Sequence, residues 1–462
     1  MKKVITGPTY PLTPSQSSMY TLVKYSIHKS VIQIPSSFCV NKKLDFSLLQ
    51  KALSIEIQRN DSMRIRFVKE KGDIKQYILP ELKYRAEIKL FSSAAEQQEY
   101  FEKDAQIPVR FNKDECYRIV FFRSHDGGTG IYLNVCHLNM DAMGVAIFYF
   151  DLLRVYESLA KGTEMPEPLY PFEERIKTDL AYLESPKYAR DEQFFRDYLS
   201  ENGESFYAGM HGPEVLEKAR IKKKDPDMRV PPVHDIFHDK ADVIVKTINA
   251  EDSKKILEFC LEHKVAPESI IQMGFRTHAS SINYRTKDVF MLVLCSRRAT
   301  FKDKAMGGCM TQPMQTRTIM EESDTFAQSL AQYTKVRTRL YRHMNFPYND
   351  ALRINREIYN YSLAQGPSCM MFTWLPLPVV SNGDLQVEFK GYCPGRYIMP
   401  LYVFAHPNPK TQTININYMY RTHSLQPKHI DKLHENAVKV ILQGIENPDI
   451  TVGELLDSIT DK

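Results

Sequence analysis

The stretch Ile131–Leu159 reads IYLNVCHLNMDAMGVAIFYFDLLRVYESL, and two periodicities meet inside it. Ile131, Leu133 and Val135 alternate with less apolar residues, which is the period-2 pattern of a strand. A stripe at helical spacing follows and consists of Val145, Phe148, Tyr149, Leu152, Leu153, Tyr156 and Leu159. The stretch therefore predicts a strand that leads directly into a helix.

Two polar residues suited to chemistry lie at this junction. His137 ends the strand on its apolar face, and Asp141 occupies the position of a helix cap. A neutral imidazole has an ordinary pKa of about 6.5, so a histidine fixed in a cleft can take a proton from a hydroxyl or an amine near neutral pH. The alternative is a half-buried strand histidine and a capping aspartate without chemistry, and this spacing alone does not exclude it.

The length of the chain favours two lobes. A chain of 462 residues exceeds the size at which one hydrophobic core usually keeps growing. Lys161–Glu174 (KGTEMPEPLYPFEE) gathers three prolines and a glycine, a composition typical of a connector. We therefore predict an N-terminal lobe over residues 1–180 and a C-terminal lobe over residues 181–462.

Composition and charge exclude several classes of protein. With 43% hydrophobic and 25% charged residues the chain is globular, and its net charge of +5 is too small to indicate a nucleic-acid partner. No window approaches 18 uninterrupted apolar residues, and MKKVITGPTYPL contains no apolar run of signal-peptide length. We expect neither a membrane span nor export.

The cysteines point to a reducing compartment and not to a metal. The 8 cysteines form no CxxC pair and no His/Cys spacing typical of a metal site. Cys136, Cys260 and Cys295 lie inside apolar segments, where a free thiol behaves as a small hydrophobe. The simplest interpretation is a reduced, cytoplasmic protein without a bound metal.

Strands alternate with helices along the rest of the chain, which predicts an α/β fold. Ser124–Gly130 (SHDGGTG) supplies the turn of a hairpin that joins Tyr117–Arg123 to Ile131–His137 and so delivers His137. Residues 201–240 are punctuated by glycine and proline and are expected to form a loop. The other predicted elements are the helices Leu44–Asn60, Arg190–Leu199, Ala250–Lys264, Ser269–Asn283 and His429–Gly444, and the strands Val31–Val40, Ser62–Val68, Asp242–Ile248, Asp288–Ser296 and Thr413–Tyr420.

Three segments follow one another in a recognisable order. Tyr10–Gln16 reads YPLTPSQ, the helix that begins at Leu44 ends in Arg59–Phe67 (RNDSMRIRF), and His137–Asp141 reads HLNMD. This succession resembles the condensation domains of nonribosomal peptide synthetases. Their superfamily includes chloramphenicol acetyltransferase, plant BAHD acyltransferases and alcohol acetyltransferases. The resemblance continues through Met306–Met314 (MGGCMTQPM) and spans nearly the whole chain.

The resemblance implies a fold and an activity. It implies two lobes similar to chloramphenicol acetyltransferase, each a mixed sheet flanked by helices, with a tunnel between them that His137 faces. It further implies transfer of an acyl group from a thioester, either acyl-CoA or a phosphopantetheinyl carrier protein, to an amine or hydroxyl of a small-molecule acceptor. His137 would be the general base, no cofactor would be bound permanently, and any carrier protein would be a separate chain.

Two positions depart from the family motif, whose form is HHxxxDG. Cys136 replaces the first histidine, and strand alternation turns its side chain to the face opposite His137. Ala142 replaces the glycine, which would narrow the approach of a backbone N–H or a thioester arm unless Gly144 relieves it. We therefore include Gly144 among the substrate-binding candidates.

The resemblance also assigns supporting residues. Asp141 would turn away from the tunnel and pair with an arginine, for which Arg298 is the first candidate, Arg297 the second and Arg64 a third. Ser381 and Asn382 are similar to a turn after a tunnel-lining strand and are candidates for substrate binding. Asn-Gly at 382–383 is equally a favoured tight turn without such a role.

Two functions from different classes remain open at this point. The first is thioester-dependent acyl transfer, which the presence of both His137 and Asp141 favours. The second is a catalytically silent condensation-like domain that binds a carrier protein or another enzyme, and the changes at Cys136 and Ala142 motivate it. The acyl chain and the acceptor do not follow from the residues.

Overall fold

The computed structural model describes residues 7–113, 115–375 and 387–460. Its strands are β1 (Tyr10–Pro11), β2 (Gln33–Val40), β3 (Ile65–Glu70), β4 (Asp73–Ile78), β5 (Glu87–Leu90), β6 (Tyr117–Arg123), β7 (Thr129–Cys136), β8 (Ala241–Ile248), β9 (Asp288–Cys295), β10 (Gln312–Ile319), β11 (Met370–Trp374), β12 (Val387–Gly391), β13 (Leu401–Asn408) and β14 (Thr413–Arg421). Its helices are α1 (Pro14–Tyr25), α2 (Phe46–Arg59), α3 (Ala94–Ala105), α4 (Ala142–Lys161), α5 (Phe172–Leu183), α6 (Pro186–Ser200), α7 (Glu214–Lys223), α8 (Ala250–Glu262), α9 (Pro267–Ser281), α10 (Phe301–Lys304), α11 (Phe326–Arg342), α12 (Tyr348–Tyr359), α13 (Pro427–Glu446) and α14 (Val452–Ile459).

The described residues divide into two compact units. The first unit contains the described parts of Met1–Ala189, Ser296–Gln312 and Pro378–Arg396, and the second contains those of Arg190–Cys295, Pro313–Leu377 and Tyr397–Lys462. This division differs from the two continuous lobes, 1–180 and 181–462, that the sequence predicts. The first unit extends past residue 180 and takes up two segments from the second half of the chain.

Two sheets build the first unit. Five strands lie in the order β12-β2-β7-β6-β5, and three more form the sheet β1-β4-β3. β6 and β7 form the predicted antiparallel hairpin, with Tyr117 opposite Val135. β12 pairs with β2, which explains why the described part of Pro378–Arg396 belongs to this unit.

The second unit is built on one mixed sheet of six strands, ordered β10-β9-β11-β13-β14-β8. β9, β11 and β13 run parallel to one another, and β14 runs antiparallel to both β13 and β8. Helices α9 and α13 pack together, and their buried apolar residues join those of the strands in one core. The predicted strands and helices of this half are confirmed, each with ends that differ by a few residues from the prediction.

One predicted loop contains a helix. The residues between 201 and 240 were expected to lack regular structure, but α7 spans Glu214–Lys223 inside them. Leu216 and Ala219 are the buried positions of this helix, and its polar remainder gives no clear apolar stripe in the sequence. The prediction was wrong because the turn signals of the flanking glycines and prolines outweighed a weak helical pattern.

Candidate functional site

His137 follows β7 directly, and its backbone fixes the end of that strand. The His137 backbone N donates to Ile32 O at 2.7 Å, and the Cys136 backbone N donates to Cys116 O at 2.8 Å. Cys136 and Leu138 on either side are fully buried, whereas His137 is only half-buried. The strand pairing therefore holds the imidazole at a defined place while it keeps some exposed surface.

Asp141 caps helix α4, as the sequence predicts. Its Oδ1 accepts from the Gly144 backbone N at 2.8 Å, and its backbone is extended. A carboxylate in this position satisfies a backbone donor that has no partner within the helix. The cap fixes where α4 begins relative to the end of β7, and so it fixes the loop that contains His137.

The other carboxylate oxygen of Asp141 accepts three hydrogen bonds. Asp141 Oδ2 accepts from Arg298 Nη1 at 2.7 Å, from the Met310 backbone N at 2.9 Å and from the Thr311 backbone N at 3.0 Å. Burial alone would raise the pKa of Asp141, but Arg298 and the backbone N–H donors outweigh it and hold that pKa below its ordinary value. Asp141 is thus ionised and fully engaged without a hydrogen bond to His137 among these contacts.

The three candidate arginines have different partners. Arg298 makes the ion pair with Asp141, and both side chains are 3% exposed. Arg297 pairs instead with Asp179 at 2.6 Å. Arg64 donates to backbone carbonyls, among them those of residues 57 and 79. Only the first candidate therefore reaches the motif aspartate.

The surroundings of the His137 ring favour its neutral form. Desolvation lowers the pKa of His137, while the nearby charge of Asp141 and a hydrogen bond to the residue's own backbone raise it, and the net shift is downward. The pKa therefore lies below 6.5. A neutral imidazole at neutral pH can act as a base, which an imidazolium cannot.

The His137 ring lies close to a cysteine side chain. The Cys309 Sγ lies 3.7 Å from His137 Nδ1, and the Cys309 side chain is fully buried. Nothing in the local sequence of either residue links the two, since 172 positions separate them in the chain. The family resemblance of Met306–Met314 pointed to this segment but not to this contact.

Gly144 lies where another backbone comes very close. A Cβ built at Gly144 would lie 2.9 Å from Gly308 O, and Asp141 N donates to the same carbonyl at 3.2 Å. Gly308 itself has a φ of +89°, which favours glycine. The structure thus gives Gly144 a packing role against residue 308, and its predicted contact with substrate stays a prediction.

The remaining substrate candidates of the sequence are Ser381 and Asn382. Ser381 and Asn382 lie outside the described residues, so their proposed contact with substrate also stays a prediction. Ala142, which stands where the family motif has glycine, is half-buried at the first position of α4. Ala142 therefore keeps part of its surface exposed.

Among the described residues, one group of side chains comes close enough together to be considered as metal ligands. The ligand atoms of Asp235, His238 and His423 lie within 4.8 Å of one another. The two imidazoles stack at 4.2 Å with an angle of 15° between their planes. The nitrogen lone pairs of near-parallel rings lie in two parallel planes about one stacking distance apart, so the rings would have to tilt for both lone pairs to point at one ion. This group belongs to the second unit, whereas His137, Asp141 and Arg298 belong to the first.

The fold and this junction define an α/β protein in which a strand delivers a histidine and an arginine-paired aspartate caps the helix that follows. The chain belongs to the condensation-domain family, whose model matches residues 7–358. The family resemblance and the α/β fold class predicted from the sequence are confirmed.

The curated relatives are much longer proteins. Surfactin synthase subunit 1 of Bacillus subtilis (strain 168) is 21% identical across 96% of this chain, and the match covers 12% of that protein. Surfactin synthase subunit 2 of the same organism is 22% identical across 74% of this chain, and the match covers 9% of that protein. The chain thus spans at most 12% of the length of these two relatives.

Solved structures share the fold over nearly the whole chain. The first condensation domain of the calcium-dependent antibiotic synthetase matches with a TM-score of 0.80 at 15% identity and covers 97% of this chain and 99% of its own. The starter condensation domain of rhizomide synthetase matches with a TM-score of 0.80 at 14% identity and 96% coverage of both chains. The X-domain from teicoplanin biosynthesis matches with a TM-score of 0.76 at 15% identity and 98% coverage of both. At these identities the likeness establishes the fold.

In the ranges that the structure describes, none of the helices combines the length and the apolar character that crossing a bilayer requires.

Proposed function

We propose that this protein transfers an acyl group from a thioester to an amine or hydroxyl acceptor, with His137 as the general base. The donor is acyl-CoA or the phosphopantetheinyl thioester of a carrier protein. Membership of the condensation-domain family supports this proposal. The starter condensation domain of rhizomide synthetase was solved in complex with C8-CoA, which supports a thioester donor. The cytoplasmic location inferred from the cysteine pattern stays a prediction.

The observation that best supports this activity is that Asp141 is fully hydrogen-bonded whereas the neutral His137 ring keeps exposed surface. The imidazole is half-buried and has a lowered pKa, so it is neutral and keeps exposed surface. The carboxylate is ionised but bound by Arg298 and by three backbone N–H groups. Asp141 therefore holds the loop in place, and only His137 remains available to exchange a proton.

The proposed reaction requires no covalent enzyme intermediate. The neutral imidazole takes the proton of the acceptor N–H or O–H as the acceptor attacks the thioester carbonyl. The C–S bond breaks, and the thiolate leaves and receives a proton from the imidazolium. The products are the acylated acceptor and a free thiol, and His137 returns to its neutral form. A thioester is already activated, so this base supplies a factor of about 10² to 10⁴ and binding supplies the rest.

Release of the free thiol from acyl-CoA, in the presence of mixed amines and alcohols, tests this proposal directly. We expect turnover with the native chain and a loss of about 10² to 10⁴ in His137→Ala. His125→Ala is a matched control, because His125 is exposed in the turn of the same hairpin that delivers His137. A folded His137→Ala protein with full activity would refute the role of His137.

A second candidate is a silent domain that binds a carrier protein or partner enzyme. Ala142 and Cys136 favour it, because both depart from the family motif beside His137. The fold of the X-domain, which was solved in complex with OxyB, also matches this chain, with a TM-score of 0.73. Binding of an acylated carrier protein without release of product, measured by calorimetry and by product analysis on one sample, would favour this candidate over acyl transfer.

A further inference from the structure

A buried thiol lies against the imidazole that the proposed reaction uses. Cys309 Sγ is 3.7 Å from His137 Nδ1, and the side chain is 0% exposed. The backbone around it is fixed by Asp141, which accepts from the N–H groups of Met310 and Thr311. Asp141 N also donates to Gly308 O at 3.2 Å. The carboxylate that caps α4 thus also places the sulfur beside the ring.

The sulfur in this position is neutral. Burial raises the pKa of Cys309 well above its ordinary value, and the charge of Asp141 raises it further, while Arg298 lowers it. A thiol in such surroundings is neither a nucleophile nor an ion-pair partner at neutral pH. It can still act as a weak hydrogen-bond acceptor.

The contacts of Nδ1 indicate which ring nitrogen holds the proton. The Cys309 sulfur is the side-chain atom that lies within hydrogen-bond distance of Nδ1, at 3.7 Å. A neutral thiol beside a ring nitrogen can accept from its N–H. In a neutral imidazole, a proton on Nδ1 leaves the lone pair on Nε2.

We propose that Cys309 is a positioning residue whose sulfur accepts from His137 Nδ1–H and so keeps Nε2 unprotonated. This inference rests on the proposed function, in which Nε2 takes the proton of the acceptor. Among the described residues, Cys309 contacts the ring and the charge of Asp141 acts on it, and that charge is compensated by Arg298. A carboxylate in place of the thiol would stabilise the imidazolium, whereas a neutral sulfur orients the ring without doing so.

The ¹⁵N chemical shifts of His137 in the histidine-labelled 462-residue chain report the tautomer directly. The resonances are assigned by their loss in His137→Gln, and the measurement is made at pH 8, where the ring is neutral. We expect Nε2 of the native chain to have the shift of an unprotonated nitrogen. In Cys309→Ala and Cys309→Ser the fraction protonated at Nε2 should rise, since alanine has no acceptor and the shorter C–O bond of serine withdraws its oxygen from Nδ1.

Cys136→Ala is the matched control, because it also removes a fully buried thiol, one that immediately precedes His137 in the chain. We expect its tautomer to be that of the native chain. For turnover, loss of one weak hydrogen bond should lower kcat about 2- to 10-fold in Cys309→Ala, with KM unchanged, and leave kcat of Cys136→Ala unaltered.

The two proposals fail in different ways. An unchanged tautomer in both folded Cys309 variants would overturn the positioning role, whatever their activity. Equal losses of kcat in Cys309→Ala and Cys136→Ala would overturn it too, because they would indicate general packing. A native chain without any transferase activity, but with the expected tautomer changes, would refute the proposed function and support the positioning role.

Discussion

Two adjacent arginines of the first unit make two ion pairs that are alike in burial and in distance but differ in what the carboxylate holds. Arg297 pairs with Asp179 at 2.6 Å and Arg298 with Asp141 at 2.7 Å, and none of these side chains is more than 3% exposed. Arg297 has a φ of +55°, in the left-handed region, which sends the two neighbouring side chains toward different carboxylates.

The difference lies in what each carboxylate holds. Asp179 lies on α5 and also pairs with Arg175 at 2.9 Å, so its network ties parts of the scaffold together. Asp141 caps α4, fixes the backbone at Met310 and Thr311, and follows His137 in the motif. The two ion pairs are thus alike in burial, and the connection of Asp141 to a half-buried histidine distinguishes the pair for which we propose a role at the site.

The largest effect expected from this comparison comes from removing each carboxylate. Asp141→Ala removes the carboxylate that pairs with Arg298, and Asp179→Ala removes the carboxylate that Arg297 and Arg175 share. Each change breaks a buried ion pair, which should lower the free energy of unfolding by about 3–5 kcal/mol. Only Asp141→Ala should also lower kcat in the fraction that stays folded. Denaturant unfolding and turnover per folded molecule measure the two quantities.

If the alanine variants do not fold, Asp141→Asn and Asp179→Asn can be compared in their place, because the asparagine amide retains the shape of the carboxylate and one acceptor oxygen. An equal loss of kcat per folded molecule in Asp179→Asn and Asp141→Asn would contradict a specific effect of Asp141 on His137. Both pairs would then act on the site through overall stability alone.

The sequence predicts the ion pair between Asp141 and Arg298 but not the one between Asp179 and Arg297. The cap at Asp141 follows from its place before an apolar helical stripe, and Arg298 follows from its place after a buried strand in a chain that resembles the family. Asp179 could not be singled out, because an acidic residue on an amphipathic helix is usually solvated. Which of two adjacent arginines turns inward toward which carboxylate depends on the backbone at residue 297 and is not visible in a local pattern.

The same limit applies to other parts of the fold. The β6–β7 hairpin and helix α4 could be predicted because their periodicity and turn residues are local. The pairing of β12 with β2 and the contact of Cys309 with His137 depend on chain segments far apart in sequence, so no local pattern could reveal them. Long-range packing thus decided where the first unit ends and what the histidine touches.

A smaller effect is expected from replacing each arginine with lysine. Arg297 donates to Asp179 through both terminal nitrogens, at 3.2 and 2.6 Å. Arg298 gives Asp141 one donor and gives Gly308 O another at 3.2 Å. Lysine keeps the charge but cannot reproduce either fork, so each variant should lose about 1–3 kcal/mol of stability, and only Arg298→Lys should lower kcat. An equal loss of kcat in Arg297→Lys would contradict this.

The pH dependence of kcat/KM gives a third test of the same difference. Because the pKa of His137 is lowered from 6.5, the acid limb of the profile should lie below pH 6.5. The stability contribution of the neutral ring is complete above pH 6.5 and is lost as the pH falls from there through the folded-state pKa. Since the charge of Asp141 raises the pKa of His137, Asp141→Asn should move the acid limb to lower pH. Asp179→Asn should leave it in place, and a shift in both variants would show that the two pairs affect the ring alike.

The smallest effect is expected at the position where the motif departs from the family. Ala142→Gly restores the family glycine at the first position of α4, and it should cost at most about 0.5–1 kcal/mol because glycine loses more conformational freedom on folding than alanine. If the methyl group of Ala142 narrows the approach to His137, kcat/KM should rise in this variant, while the ion pair between Asp141 and Arg298 is untouched. An unchanged kcat/KM in an active enzyme would show that the half-buried methyl group leaves the approach open. If the native chain is inactive and Ala142→Gly gains turnover, the methyl group of Ala142 is what blocks acyl transfer. The histidine, the capped loop and the ion pair of the native chain would then already be arranged for catalysis.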